Sequence, residues 1–357
     1  MDLEALLADF THRDWQTVDD SEPIRLALVG LGWWVREEAM PAIEESDFCT
    51  TSVVVSGSAE KATRVANSGE GITGLTYEDY HDGTAVTEYD AVYICTPNST
   101  HIEYVRTAAR HGKHVLCEKP MAATSEGAKR IVEVCADEEV TLMVAYRMQT
   151  DPAVRRARDI VGEGIIGEPR QIHGHMSDCV PDLIPNPDQW RLDPELSGGA
   201  TLIDIGLYPL NTARFLLDRD PIAVYAETNA THEWFDGLDE HVSFQVSFEG
   251  CVSAACTVSH NAFNASHFTV VGTEGKLTIE PVFFPWDDRE LAVSTGEATA
   301  DLSFEQRNQM TEEFDYFAHC LITDTDPVPD GRHGLVDIEA VEAMYTAAER
   351  GERIELS

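Results

Sequence analysis

From Ile24 to about Tyr146 the chain alternates short β-rich runs with stretches of helical period. The runs are Ile24–Val29, Ser52–Val55, Ala91–Thr96, His114–Cys117 and Thr141–Ala145. Between them lie a glycine turn with a helix reaching about Glu45, then helical stretches at Ala59–Asn67, His101–His111 and Ser125–Asp137. Strands separated by helices of this length need crossover connections, which places them in a parallel sheet. The expected fold of residues 23–147 is therefore a doubly wound α/β (Rossmann) domain, whose ligand sits at the C-terminal ends of the strands.

After Asp151 the grammar changes. A helix near Ala153–Val161 and an amphipathic stretch at Thr201–Leu217 interrupt a sequence that is otherwise β. His241–Phe248 alternates cleanly, with Val242, Phe244, Val246 and Phe248 on one face. Glu249-Gly250 turns this run into Cys251–Val258, and Gly272-Thr273-Glu274-Gly275 joins Phe268–Val271 to Lys276–Ile279. Neighbouring hairpins predict a largely antiparallel open sheet with one wet face, forming an α+β domain over residues 148–357. Helices near Gln309–Leu321 and Leu335–Glu349 close the chain, the last placed to pack back on the first domain. Residues 1–22 read as an acidic extension with an amphipathic piece (Leu3, Leu6, Leu7, Phe10), either an arm laid on a neighbour or a frayed end.

Charge changes the picture most. Sixty-four acidic residues face 25 basic ones, of which only five are lysines, for a net charge of −39. Such self-repulsion is tolerable where salt screens it, and at molar salt the Debye length is about 3 Å. The acid is spread over both halves, which points to a salt-rich cytoplasm. Nucleic acid and anionic membranes are disfavoured as partners. The chain holds no apolar run long enough to span a bilayer, and its start lacks a secretory pattern. The eight cysteines form no CxxC pair and read as free thiols.

Four segments carry candidate chemistry. In Val29-Gly30-Leu31-Gly32-Trp33-Trp34 the glycines allow a tight turn and the approach of a pyrophosphate to a helix N-terminus, although Val35 stands where the fingerprint has Gly or Ala. The second strand ends in Ser56-Gly57-Ser58 instead of the carboxylate an NAD site expects, and Lys61 follows. Hydroxyls and a cation suit a 2′-phosphate, so NADP is favoured over NAD. Thr96-Pro97-Asn98-Ser99-Thr100-His101 and Cys117-Glu118-Lys119-Pro120 fall at strand ends facing the cofactor. Trp190-Arg191 precedes Gly198-Gly199, Asp204 and Tyr208. The last two are four residues apart and on one continuous helix would share a face, giving Lys119, Asp204 and Tyr208 as a proton-handling set. Arg147, Trp190 and Arg191 complete the cofactor candidates.

The strand–GLG turn, TPNxxH, EKP and GGxxxDxGxY segments, in this order, resemble the glucose–fructose oxidoreductase / inositol dehydrogenase family over roughly residues 23–345. The resemblance implies a Rossmann domain followed by an open-sheet domain often used for oligomer contacts, hence a homo-oligomer, a dimer or tetramer. It implies that Lys119 is the catalytic lysine. Tyr at 208, where many members carry His, is similar to the branch holding glucose–fructose oxidoreductase, dihydrodiol dehydrogenase and pentose dehydrogenases. The implied activity is NADP-dependent oxidation of an aldose at C1 to its lactone, D-xylose foremost. Tyr208 or Lys119, side by side, would take the C1 hydroxyl proton, and Asp204 would orient the sugar or the lysine. A dihydrodiol or other polyol dehydrogenase is the alternative enzyme, and a non-catalytic cofactor-binding sensor is the alternative class. His173 and His175 share a strand face without a third ligand nearby, so no metal is expected.

Overall fold

The computed structural model describes residues 10–13, 15, 22–296, 298–304 and 306–356. By compactness the chain divides into two units. One combines Arg13–Arg147 with Asn308–Leu335; the other combines the described residues up to His12 with Met148–Arg307 and Val336–Ser357.

The first unit is built on six parallel strands: β1 (Ile24–Val29), β2 (Cys49–Ser56), β3 (Thr73–Thr76), β4 (Ala91–Ile94), β5 (His114–Glu118) and β6 (Leu142–Ala145). Their order is β3-β2-β1-β4-β5-β6, so the direction of winding reverses between β1 and β4. That reversal opens the crevice in which doubly wound sheets bind ligands. Leu26, Leu28, Val54, Tyr93 and Leu116 are buried on this sheet, and Phe314 and Phe317 of the helix Gln309–Thr323 join the same core. Each such aromatic contributes roughly 1.5–3 kcal/mol through burial. Phe314 meets the Tyr93 ring edge-on at 5.1 Å. Two residues of the N-terminal extension lie on the same helix: Arg13 pairs with Glu312 and Asp315, and Trp15 lies 5.1 Å from Tyr316. The piece carrying Leu3, Leu6 and Leu7 lies outside the described residues, while Phe10 rests 4.4 Å from Phe304.

The second unit carries nine strands: β7 (Pro169–Cys179), β8 (Pro221–Asn229), β9 (His241–Phe248), β10 (Val252–Ser259), β11 (Asn261–Gly272), β12 (Gly275–Glu280), β13 (Glu290–Thr295), β14 (Thr299–Ser303) and β15 (Ile354–Glu355). Their order is β14-β13-β12-β11-β7-β10-β9-β8-β15. Both hairpins read from the sequence are present, with Val252 opposite Phe248 and Phe268 opposite Ile279. β7 joins them, parallel to β10 and antiparallel to β11. Val242, Phe244, Val246 and Phe248 face the core with Leu210, Phe215 and Phe283. Alternation alone puts them there, because every second side chain of a strand points the same way.

Two expectations need correction. The stretch Thr201–Leu217 is not one helix. It breaks at Ile205-Gly206 into Thr201–Asp204 and Leu207–Leu217, so Asp204 ends one segment and Tyr208 sits near the start of the next. The cause lies at both sides of the break. The Asp239 carboxylate holds the first turn by accepting from Ala200 N–H (2.9 Å) and Leu202 N–H (2.6 Å), and a Cβ on Gly206 would stand 2.4 Å from the Leu202 carbonyl oxygen. The helix after the glycine turn also departs from regularity, beginning as a π-helical turn over Val35–Ala39. That wider turn accommodates the fully buried, β-branched Val35 at the place where the fingerprint carries Gly or Ala.

Candidate active site

In the first unit most of the candidate residues gather along the C-terminal edge of the sheet. Gly30 adopts φ +95°, and a Cβ there would meet the Cys95 carbonyl oxygen at 2.2 Å. Only glycine lets β1 and β4 approach so closely at the switch point. No atom lies within 4 Å of where a Gly32 Cβ would project, so the turn leaves open space beside its backbone. Trp33 is 56% exposed on the same turn. Trp34 is half-buried beneath the Arg147 guanidinium, 5.9 Å from its ring centre.

At the end of β2, Ser58 caps the helix Ala59–Ala66, its Oγ accepting from Lys61 N–H at 3.2 Å. Ser56 is buried and accepts from Ser58 N–H at 3.3 Å. Partial burial holds the Lys61 ammonium below the usual lysine range, and the neighbouring Arg36 and Arg64 guanidinia push it further down. Arg36 was not among the sequence candidates. It lies in the π-helical turn, remote in sequence from Lys61, and no motif linked the two. Tyr77 was also missed: its ring stands 3.2 Å from where a Gly57 Cβ would be. Its helix, Tyr77–His81, has a reciprocal Thr76–Asp79 capping box that the sequence displays as T-x-x-D. Three cations and two serines around one strand end fit a phosphorylated ribose.

The next two segments divide between contact and support. His101 is fully buried, with Nε2 2.8 Å from the Thr96 carbonyl and Nδ1 3.1 Å from the Met121 carbonyl. Its ring ties the TPN loop to the loop after Lys119; as it presents no surface, direct cofactor contact by His101 is set aside. Arg147, only 5% exposed, is likewise occupied below the surface. It donates to Gln309 and offsets the carboxyls of Glu118 and Glu313. Glu118 accepts from Tyr93 O–H (2.6 Å) and from the backbone N–H of Lys119 (3.0 Å), anchoring the segment that carries the lysine. The Lys119–Pro120 peptide is cis.

Glu313 reaches this cluster from the returning helix with both carboxyl oxygens buried and lacking a hydrogen-bond donor. Burial pushes both carboxyls up, with Glu118 next in raising Glu313. Because Glu118 has two donors and Glu313 none, the proton resides on Glu313. A carboxyl raised in this way stabilises the fold fully below its unfolded pKa, near 4.3, and loses that contribution as pH rises toward its folded value. Glu313→Gln should therefore be more stable than the parent from about pH 5 upward, the gap widening by up to about 1.4 kcal/mol per pH unit in denaturant titrations at fixed KCl. Parallel curves for the two proteins would place the proton elsewhere.

In the second unit, Trp190 and Arg191 form a short turn with the guanidinium 4.7 Å over the indole. Arg191 Nε lies 3.5 Å from Asp204 Oδ2, so this pair stands with the candidate substrate residues. Tyr208 is half-buried, its ring 5.7 Å from Phe283. His175 stacks on His267 at 5.6 Å and shares hydrogen bonds with Thr257 and Ser177. Among the described residues no group of three His, Cys, Asp or Glu side chains is arranged to hold a metal. The eight cysteines are free, with Cys251 exposed in the turn before β10. None of the described helices is long and apolar enough to cross a membrane.

A six-stranded sheet of this order with a glycine turn at its switch point defines a dinucleotide-binding fold. The chain belongs to the GFO/IDH/MocA oxidoreductase family. Residues 24–146 match its NAD-binding Rossmann model, and residues 154–278 match the GFO/IDH/MocA C-terminal domain. It is 54% identical, over 100% of both chains, to D-xylose 1-dehydrogenase [NADP(+)] of Haloarcula marismortui. It is 30% identical to D-xylose 1-dehydrogenase (NADP(+)) 2 of Haloferax volcanii, over 93% of this chain and 98% of the other. Among solved structures it resembles the aldose-aldose oxidoreductase from Caulobacter crescentus complexed with glycerol. The TM-score is 0.87 at 30% identity, covering 94% of this chain and 100% of that one.

Proposed function

We propose that this oxidoreductase is an NADP-dependent aldose 1-dehydrogenase that oxidises a pentose, D-xylose foremost, at C1 to its lactone. One observation carries the cofactor half: a chain of net charge −39 gathers Arg36, Lys61 and Arg64 at the end of β2. Such a concentration of like charge is costly unless an anion sits among the cations. The substrate half draws on the full-length likeness to the Haloarcula enzyme.

Gly30, Leu31, Gly32 and the loop Thr96-Pro97-Asn98 would cradle the dinucleotide, with Ser56, Gly57, Ser58, Lys61 and Arg36 around its 2′-phosphate. When bound, the nicotinamide supplies the acceptor for the hydride leaving C1. Tyr208 removes the proton from the C1 hydroxyl, and the Lys119 ammonium favours the anion that develops as it does so. Asp204 accepts hydrogen bonds from sugar hydroxyls, and Arg191 steadies it. The acidic surface suits work in a salt-rich cytoplasm, and the exposed residues of β10 (Ser253, Ala255, Thr257) offer a small-residue sheet face suited to a homo-oligomer.

The test is initial-rate oxidation at molar KCl, with NADP and NAD each paired with xylose, glucose, arabinose and inositol. Xylose turnover with a preference for NADP is expected. Inositol turnover, or a clear preference for NAD, would overturn the substrate or the cofactor half respectively.

A further inference from the structure

A second set of buried charges lies behind Asp204, outside every motif that marked the site. His260 follows β10, and because Ser259 pairs in parallel register with Ser177, it comes to rest beside Asp178 at the end of β7. Only 3% of His260 is exposed. Its backbone is held on both sides, its N–H donating to the Glu240 carbonyl (3.1 Å) and its carbonyl accepting from Val180 N–H (2.9 Å). The ring spans two carboxylates, with Nδ1 2.7 Å from Asp178 Oδ1 and Nε2 3.4 Å from Asp204 Oδ2. Arg191 Nε approaches the same Asp204 oxygen at 3.5 Å.

We propose that His260 is a positioning residue: an imidazolium clamped between Asp178 and Asp204 that fixes the Asp204 carboxylate for sugar hydroxyls. The proposal rests on the reading of Asp204 as a substrate residue. With two cations within 3.5 Å of one oxygen, Asp204 is held in place and its charge is largely offset, which suits hydroxyl recognition better than proton abstraction.

Among the described residues, the charged groups around the ring favour its charged form or are turned elsewhere. Asp178 faces it from β7, Asp204 from the helix Thr201–Asp204, and Arg191 stands beyond Asp204. From the β9 side, the Glu240 carboxylate is directed to Thr231, His232 and Asn261, and His241 Nδ1 lies on Ser259 Oγ at 2.8 Å. Burial alone would lower the imidazole, but the hydrogen bond to Asp178 and the nearby charge of Asp204 more than offset it and hold it at about 9. The clamp is therefore closed at neutral pH and opens only in alkali.

Two measurements test this, one independent of turnover. In the first, the imidazole of His260 is titrated by NMR in the full-length protein and in Asp204→Asn. The expected midpoint is near 9 in the parent and clearly lower in Asp204→Asn, since one of the two carboxylates has gone. A midpoint in the ordinary histidine range, or one unmoved by Asp204→Asn, overturns the clamp whatever the kinetics show. In the second, His260→Gln is assayed with xylose and NADP at molar KCl. The KM for sugar should rise about 10-fold or more with kcat changed much less, and the parent's rise in KM toward alkaline pH should disappear. Cofactor affinity, read by NADPH fluorescence, should stay unchanged. An unchanged sugar KM in His260→Gln, or a loss confined to kcat, overturns the proposal. If the parent turns over no sugar at all, the functional reading fails and the NMR titration still decides the clamp.

Discussion

Lys119→Met lowers kcat for sugar oxidation by about 10²-fold or more, while the dissociation constant for NADPH stays within a few-fold of the parent. Methionine keeps the length and apolar stem of lysine and removes only the ammonium, so the change isolates charge and proton donation. The lysine is placed to matter. It follows directly after β5, on the edge of the sheet where the glycine turn of β1 and the loop after β4 also end. Its backbone N–H is fixed by Glu118, which is in turn fixed by Tyr93. A side chain mounted on such a braced segment can hold one position through the reaction, and that is what stabilising a developing anion requires. Stopped-flow and steady-state rates on one preparation, with NADPH binding followed by fluorescence, separate the two parameters. A near-normal rate would remove Lys119 from the chemistry and leave Tyr208 to act without it.

The second large effect belongs to the cofactor. The double substitution Arg36→Ala with Lys61→Ala should raise the KM for NADP by about 10- to 100-fold and leave that for NAD nearly unchanged, because charge-assisted bonds to a phosphate contribute about 1.5–3 kcal/mol. In the parent the three cations repel one another, and partial burial adds to the cost on Lys61. The outer pair is already softened, with Arg36 3.4 Å from Glu37 and Arg64 3.7 Å from Glu60. Lys61 is left as the cation whose loss should be felt most. Molar salt weakens long-range attraction but not a direct ion-pair contact, so the effect should survive in brine. Equal losses with NADP and NAD would mean that these residues support the fold of the turn and do not read the 2′-phosphate.

Most of the first sheet was legible because its strands are apolar runs bounded by turns, and the helix Ser125–Asp137 stood at the limits its pattern implied. β3 and the helix after it were not. The strand Thr73–Thr76 contains a glycine, the helix Tyr77–His81 is five residues long, and neither is long enough to show a period. The helical stretch Thr201–Leu217 looked continuous because its apolar spacing continues across Gly206. The break depends on a carboxylate at Asp239, supplied by a distant part of the chain. The same reason explains which site residues went unseen. Lys119, Asp204 and Tyr208 sit in local motifs, whereas Arg36, Asp178, His260 and Glu313 gain their meaning only from partners far away in sequence. His101 was visible for the opposite reason: it belongs to a motif, yet its ring is spent holding two loops together.

The return of Asn308–Leu335 to the first unit bears on how the protein is made. The sheet of β1 to β6 is synthesised by Arg147, but one side of its core waits for Phe314 and Phe317. At 5–20 residues per second that wait is roughly 10–35 s, during which Leu28, Val54 and Tyr93 lack part of their cover. The half made first thus cannot finish folding when its own strands are complete, and a nascent chain released before Phe314 and Phe317 emerge would carry an open, aggregation-prone sheet. An arrest-peptide series that stalls synthesis at successive lengths should show protease resistance of the first unit appearing only once the helix ending at Thr323 has cleared the ribosome.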